Sequence, residues 1–497
     1  MFLYAFLITF LAIALTALYH RYNRTTRLIN KIPGPKGWPI IGNSLKYALP
    51  SDKLFAYQRY LPKKYGELSQ IHGLDIRIVN LTNPDDIEKI LSSTEYNYKE
   101  HPYTYITKWL RQGLLTSNGN KWFQRRKMLT KTFHFNILKK FTKTFIEESE
   151  EFVKIIDKEV GKEQTDVLEM ISNATLRILC DTAMGFSDYD NMQSSIDSYL
   201  DGLRVLGQCI SKRLAKVWLH YKPIYECTNI AREEDQAVSK LHNFTNTVIR
   251  NRRKDFQENL KKIDTEGNYE NNEKIAMLDL LLQNEKDGLI DNDGIREEVD
   301  TFMFAGHDTT AVAMTFMVMA LANEPEIQDK IYAEMQQIFG DSDHKPTMQD
   351  LSDMKYLECC IKESMRLYPS APLIMRYLTK DTVLSGYTIP AQTTCCICIY
   401  DVHRRADSFP DPERFIPERF LPENSKTRHP FSYIPFSAGH RNCIGQKFAL
   451  LEIKAMMSAL IRKFRLEPVT KPSDLIFTTD IVLRTKSPVY VKFSSRK

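Results

Sequence analysis

The stretch from Gly294 to Pro325, GIREEVDTFMFAGHDTTAVAMTFMVMALANEP, constrains the fold more than any other part of the chain. It keeps a helical period for about 30 residues and is apolar nearly all round in its middle, so it must be buried on every side. A helix of that kind needs a shell of other helices. Apolar positions spaced by three to four residues recur at 137–160, 165–185 and 229–256, and supply candidates for that shell. Short β-like runs occur at 68–82 and 373–400. The polar segment 257–276 reads as a surface loop. From residue 46 to 497 no second proline-rich break and no repeat divides the chain. The expectation is a single, mainly α domain with a minor β portion.

Composition narrows the function classes. The chain has 497 residues, of which 43% are hydrophobic, with 19 Gly and 22 Pro, which excludes collagen-like and disordered proteins. The net charge of +6 is spread along the sequence rather than gathered in a stripe, so no nucleic-acid partner is expected. The nine cysteines are odd in number and lack metal-knuckle spacing. Cys395, Cys396 and Cys398, in TTCCICIY, read as small buried hydrophobes in a protein of a reducing compartment.

The N-terminus reads differently. Phe2 to Tyr19 is an uncharged, mostly apolar run of 18 residues, long enough to span about 27 Å as a helix. No positive region precedes it, while His20, Arg21, Arg24, Arg27 and Lys31 follow at once. Residues 1–20 are therefore expected to be a retained signal anchor with the body on the cytoplasmic side. The sequons at Asn23, Asn80, Asn173 and Asn243 would then stay unglycosylated. Residues 21–45 are basic and rich in Pro and Gly (KIPGPKGWPIIGN), and read as a hinge, either a stiff connector or a plain linker.

Two places carry chemistry. Inside the buried helix, Ala305-Gly306-His307-Asp308-Thr309-Thr310 puts residues that disfavour helix interiors at its centre. That is either a local kink with Asp308 paired elsewhere, or a groove whose hydroxyl and carboxyl pass protons. Near the C-terminus, FSAGHRNCIG (436–445) sets Cys443 just ahead of a helix, QKFALLEIKAMMSALIRKF, between Gly439 and Gly445 and near Arg441. A helix N-terminus and a cation favour thiolate there, and the glycines let something flat approach.

These motifs resemble, in order and along the whole chain, those of the cytochromes P450. The resemblance makes Cys443 the proximal ligand of a haem iron. Glu363-Ser364-Met365-Arg366 resembles the family's E-x-x-R, and Pro417-Glu418-Arg419-Phe420 its partner, so that Glu363, Arg366 and Arg419 form a network bracing the Cys loop. Trp122 and Arg126 resemble W-x-x-x-R at a haem propionate, with Arg376 and Arg441 as further propionate partners. Asp308 and Thr309 resemble the proton relay, and Gly306 the place that gives O2 room. EEVDTFMF-GHDTT at 297–310, GLLTSNGNKWFQRRKMLTKTFHF at 113–135 and FSAGHRNCIGQKFA at 436–449 are similar to the family-4 branch of fatty-acid ω-hydroxylases and their invertebrate relatives. There are two departures: Ala305 stands where many branch members carry a haem-esterifying Glu, so haem b is expected without a covalent link, and His440 replaces a usual Pro.

The resemblance implies a microsomal monooxygenase of the endoplasmic reticulum membrane. It would insert one oxygen of O2 into a C–H bond of a lipophilic substrate, a fatty acid or related lipid, with insect-type hormones and xenobiotics also open. Electrons would come from NADPH through cytochrome P450 reductase, with cytochrome b5 as a further donor, since no flavin or nicotinamide motif is present in the sequence. Lys121, Arg125, Lys127, Lys131 and Lys447 could form a docking face for an acidic redox partner. Substrate contacts are expected from 101–118, with Tyr103, Tyr105, Trp109, Leu114 and Leu115, and from 200–225. Two alternatives stand beside this reading: an isomerase or dehydratase of lipid peroxides needing no reductase, and a non-catalytic haem protein.

Overall fold

The computed structural model describes residues 22–496 except 39, 74–75, 187–188, 267–275, 341 and 343, together with residues 2, 4 and 11. The expected anchor, 1–20, therefore lies outside the described residues but for those three. Among the described residues no helix is long and apolar enough to cross a membrane.

The helices that build the site are α1 (Ser51–Tyr65), α2 (Gly119–Thr130), α3 (Phe135–Asp157), α4 (Val167–Leu179), α5 (Gln193–Ala215), α6 (Asn229–Glu266), α7 (Asn292–Asn323), α8 (Pro325–Phe339), α9 (Lys355–Leu367) and α10 (Gln446–Lys463). The apolar stretch is α7. Its first turn is capped by Asp291, whose carboxylate accepts from the Gly294 N–H, and it stops before Pro325, which opens α8. Every residue from Ala311 to Ala322 is buried, and α4, α6, α9 and α10 pack around it. The helix runs unbroken through Ala305–Thr310. Four threonines on it return their hydroxyls to the carbonyl four residues back, Thr301 to Glu297, Thr309 to Ala305, Thr310 to Gly306 and Thr315 to Ala311, at 2.7–2.8 Å. That local bond is how α7 tolerates threonine in its interior.

One expectation is corrected here. The polar segment from 257 does not open a loop: α6 continues to Glu266, and the rest, 267–275, lies outside the described residues. Glu, Gln, Lys and Leu are good helix formers, and polarity alone does not end a helix.

The β-like runs form a four-stranded sheet. β1 (Leu68–Gly73), β2 (Ile76–Leu81), β3 (Ile374–Tyr377) and β4 (Thr394–Ile397) lie in the order β1-β2-β4-β3. β4 runs parallel to β2, with Val79 opposite Cys395, and antiparallel to β3, with Arg376 opposite Cys395. An interior strand covered on both faces wants small apolar side chains. All four β4 residues are buried, Cys395 and Cys396 among them, and the thiol of Cys395 is pushed up by burial. The proline-rich connector is clasped to β1: Pro33 O accepts from the Gln70 N–H at 2.8 Å, and Asn43 bridges Pro35 O and the His72 N–H.

Candidate active site

The loop ahead of α10 is held from three sides. The Cys443 N–H donates to Phe436 O at 2.9 Å. Arg126 of α2 donates to Asn442 O and Asn442 Oδ1 at 2.8 and 2.7 Å. Gly439 has φ +69°, and a Cβ there would sit 1.8 Å from Leu91 O, so both its conformation and its surroundings demand glycine. The Cys443 side chain is exposed, but what it faces is a cavity of about 480 Å³. Burial pushes the thiol up, against the pull of the Gly445 N–H and the Arg126 guanidinium. The sequence led us to expect the reverse sign, with Arg441 assisting. Arg441 is instead turned away, stacked over the Trp122 ring at 4.9 Å and donating to the carbonyls of Asn97, Leu114, Leu115 and Ser117 and to Asn118 Oδ1.

The same cavity wall gathers buried cations. Arg376, on β3, donates to its neighbour's carbonyl at Met375 and leaves its buried Nε without a partner. Lys99 donates to Leu115 O at 3.1 Å and lies over the Tyr103 ring. Burial holds Lys99 well below the usual lysine range, with Arg441 and Arg376 adding to the effect. Arg441 itself is lowered to about 9, first by burial and then by Arg376. Among the described residues no carboxylate pairs with Lys99, Arg376 or Arg441. Sequence reasoning missed Lys99, because nothing local distinguishes it from a surface lysine.

Beneath the loop, Arg366 forks onto Glu363 at 2.7 and 2.8 Å, both side chains fully buried. Arg366 also donates to the carbonyls of His403, Pro412 and Arg414. Arg419 Nε lies 3.4 Å from Glu363 Oε1, and the Ile416 N–H donates to the same oxygen.

On α7, Ala305, Gly306, Thr309 and Thr310 line the cavity. Asp308 is not on the wall; its carboxylate takes a hydrogen bond from Arg484 at 2.6 Å. A Cβ on Gly306 would lie 2.5 Å from Leu179 Cδ1, so this glycine lets α4 approach α7 as well as opening the wall. Of the expected substrate contacts, Tyr103, Leu114 and Leu115 reach the wall, as do Ile210, Leu214, Val217 and His220 from 200–225. Tyr105 and Trp109 are core residues, packed on His101 and Phe304.

The sequence profile of the cytochrome P450 family matches residues 32–493. The chain belongs to the cytochrome P450 family. Its relatives include cytochrome P450 4c3 of Drosophila melanogaster, 40% identical over 99% of this chain and 94% of that protein. Cytochrome P450 4c21 of Blattella germanica is 37% identical over 98% of both, and cytochrome P450 4V2 of Homo sapiens is 37% identical over 96% of this chain and 92% of its own. The chain is thus a family-4-like P450 and a haem monooxygenase.

The cavity of this P450 fits a haem. Buried cations that no carboxylate answers call for anions, and the two propionates of a haem would supply them to Lys99, Arg376 and Arg441. The thiol of Cys443 opens on the same space, and a Cβ on Gly445 would meet nothing closer than 3.8 Å, which leaves room for a flat ring beside it. The basic face is smaller than the sequence led us to expect. Lys121 pairs with Glu297 at 2.7 Å and Arg125 is turned inward towards Glu298, leaving Lys127, Lys131 and Lys447 exposed.

Proposed function

We propose that this P450 is held by residues 1–20 in the endoplasmic reticulum membrane and hydroxylates a lipophilic substrate, a fatty acid or related lipid, using O2 and electrons from NADPH. The observation that carries the reading is a thiol and three buried cations, none paired with a carboxylate among the described residues, around one largely apolar cavity. In it Cys443 would ligate the haem iron, and Trp122, Arg126, Lys99, Arg376 and Arg441 would hold the propionate edge. The haem, when bound, supplies the activation of O2 and the oxidising power.

The chain's own residues then orient, keep dry and protonate. The aliphatic wall excludes water and holds the C–H bond over the site. Thr309, on the wall, would deliver a proton into the cavity from its hydroxyl. Asp308, next to it in the chain and paired with Arg484, would supply that proton from behind the wall. Glu363, Arg366 and Arg419 position the Cys loop without touching the substrate. A reductase, with cytochrome b5 as a second donor, would dock on Lys127, Lys131 and Lys447. The test is turnover of medium- and long-chain lipids by the purified, haem-loaded protein with reductase and NADPH, mapping the hydroxyl by mass spectrometry. No product on any lipid, with a sound thiolate spectrum under carbon monoxide, overturns the lipid assignment.

Two predictions belong to this reading. Thr309→Ala removes the wall hydroxyl and leaves the helix, since its bond goes only to Ala305 O. NADPH consumption should continue while product per NADPH falls by about 100-fold, the low end of the range for a lost acid–base group, the difference appearing as peroxide. Unchanged coupling takes Thr309 out of the relay. Ala305 has no carboxylate to esterify, so denaturing solvent should extract all the haem intact. Haem remaining on the polypeptide overturns that assignment.

A further inference from the structure

The cavity wall carries two chemically different polar groups. Its fixed positive charges, Lys99, Arg126, Arg376 and Arg441, all belong to the haem cradle, and its one fixed carboxylate among the described residues is Asp480. A second polar group lines the wall elsewhere. Ser44 and Tyr47 come from the short helix Ser44–Tyr47, and Gln58 comes from α1. Ser44 Oγ, Tyr47 OH and Gln58 Oε1 are buried and have no hydrogen-bond partner. The Tyr47 ring packs edge-on against Tyr57, next in the chain to Gln58, with centroids 5.5 Å apart. The aliphatic side chains of Leu54, Ile71 and Ile76 share the wall with them.

Nothing in this group carries a charge. Burial pushes the Tyr47 hydroxyl well above the usual tyrosine range, so it is a neutral donor. His101, also on the wall, is pushed down to about 3, first by burial and then by His220 and Arg213. Arg59, which pairs with Asp401 at 2.6 Å, and Arg213, which lies over the rings of Tyr105 and Tyr225, are both off the wall. A buried carboxylate would meet no wall cation outside the haem cradle, and an unpaired buried charge is far costlier than an unpaired hydroxyl. A hydroxyl matches what is present, able to accept from Tyr47 or donate to Gln58 Oε1.

We infer that the part of the cavity wall marked by Ser44, Tyr47 and Gln58 receives the neutral hydroxyl end of a lipid alcohol, and that the free carboxylate of a fatty acid is discriminated against there. The inference rests on the reading of the cavity as a lipid-hydroxylating site, and deepens it by naming the substrate class.

The test uses the full-length haem-loaded protein and the spin-state shift on titration with chain-matched 1-tetradecanol, tetradecanoate and tetradecane at neutral pH. The alcohol should bind at least 10-fold more tightly than the acid. Tyr47→Phe should weaken the alcohol by about 3- to 10-fold, the range of one hydrogen bond, and leave tetradecane unchanged. Gln58→Lys, which installs the missing cation, should raise affinity for tetradecanoate. Equal binding of acid and alcohol, no shift with any of the three, or an equal Tyr47→Phe effect on alcohol and alkane each overturns the inference. Absence of the thiolate band under carbon monoxide, read before any titration, is a failure of the monooxygenase reading instead.

Discussion

Replacing Arg366 by leucine should leave almost no haem-loaded protein. The guanidinium is fully buried and holds Glu363 through two hydrogen bonds. Removing one partner of a buried ion pair strands the other charge, at a cost of about 3–5 kcal/mol. The carbonyls of His403, Pro412 and Arg414 lose their donor in the same change, each worth about 1–3 kcal/mol when left buried. These losses are not additive, but against a total stability of about 5–15 kcal/mol they are decisive. Arg366 is the centre of the ties between α9 and the segment 403–419; Glu363 adds the Ile416 N–H and Arg419, and Arg404 donates to Leu367 O. Arg366→Lys keeps the charge and loses the fork, so it should fall between wild type and the leucine variant. The measurement is the yield of the carbon monoxide-bound thiolate band per milligram, with thermal denaturation of what is recovered. A leucine variant within about 0.5 kcal/mol of wild type, a surface-like value, would mean that this network is not what holds the segment.

What could be read in the sequence divides along physical lines. α7 was legible because a helix apolar on every side has no solution except burial, and its stop at Pro325 is local chemistry. The spacing of Glu363 and Arg366 is likewise local, three residues on one helix. The apolar run at 394–397 was legible as buried strand for the same reason. What the sequence did not show depends on contacts distant in it. Lys99 becomes a cradle cation only because Arg441 and Arg376 are folded against it. Asp308 meets Arg484, 176 residues away, and so leaves the cavity wall that its neighbour Thr309 lines. Arg125 looked like a surface cation, yet it turns inward towards Glu298. The extension of α6 through 266 was missed for another reason, since polar content was read as a loop where helix propensity was the better guide.

The cradle's electrostatics link these elements to the thiol. Three buried cations raise the cost of folding without an anionic ligand, because each is held out of water with only carbonyls to answer it. Haem binding and folding are thereby coupled, and loading with haem should stabilise the chain by mass action. The thiol end contributes differently. Its loop is fixed by backbone contacts and by Arg126, and the side chain itself is free to face the ligand.

That separation makes Cys443→Ser the decisive test of the axial ligand. The substitution leaves the Cys443 N–H to Phe436 O bond, the Arg126 bonds to Asn442 and the glycine at 439 untouched. The side chain packs against little but the cavity. Apoprotein stability should therefore change by no more than about 0.5 kcal/mol, as for a substitution away from packing features. Function should respond in full, because a serine hydroxyl does not ionise near neutral pH and cannot supply thiolate electron density. Haem should still associate through Lys99, Arg376 and Arg441, but the reduced, carbon monoxide-bound form should show no thiolate-type band, and hydroxylation should fall below detection. The two readouts separate the causes. Loss of the band with an unchanged melting curve assigns the ligand to Cys443. Persistence of the band requires a different ligand, and the eight other cysteines offer no substitute on this wall: Cys227 is exposed and the other seven are buried away from it.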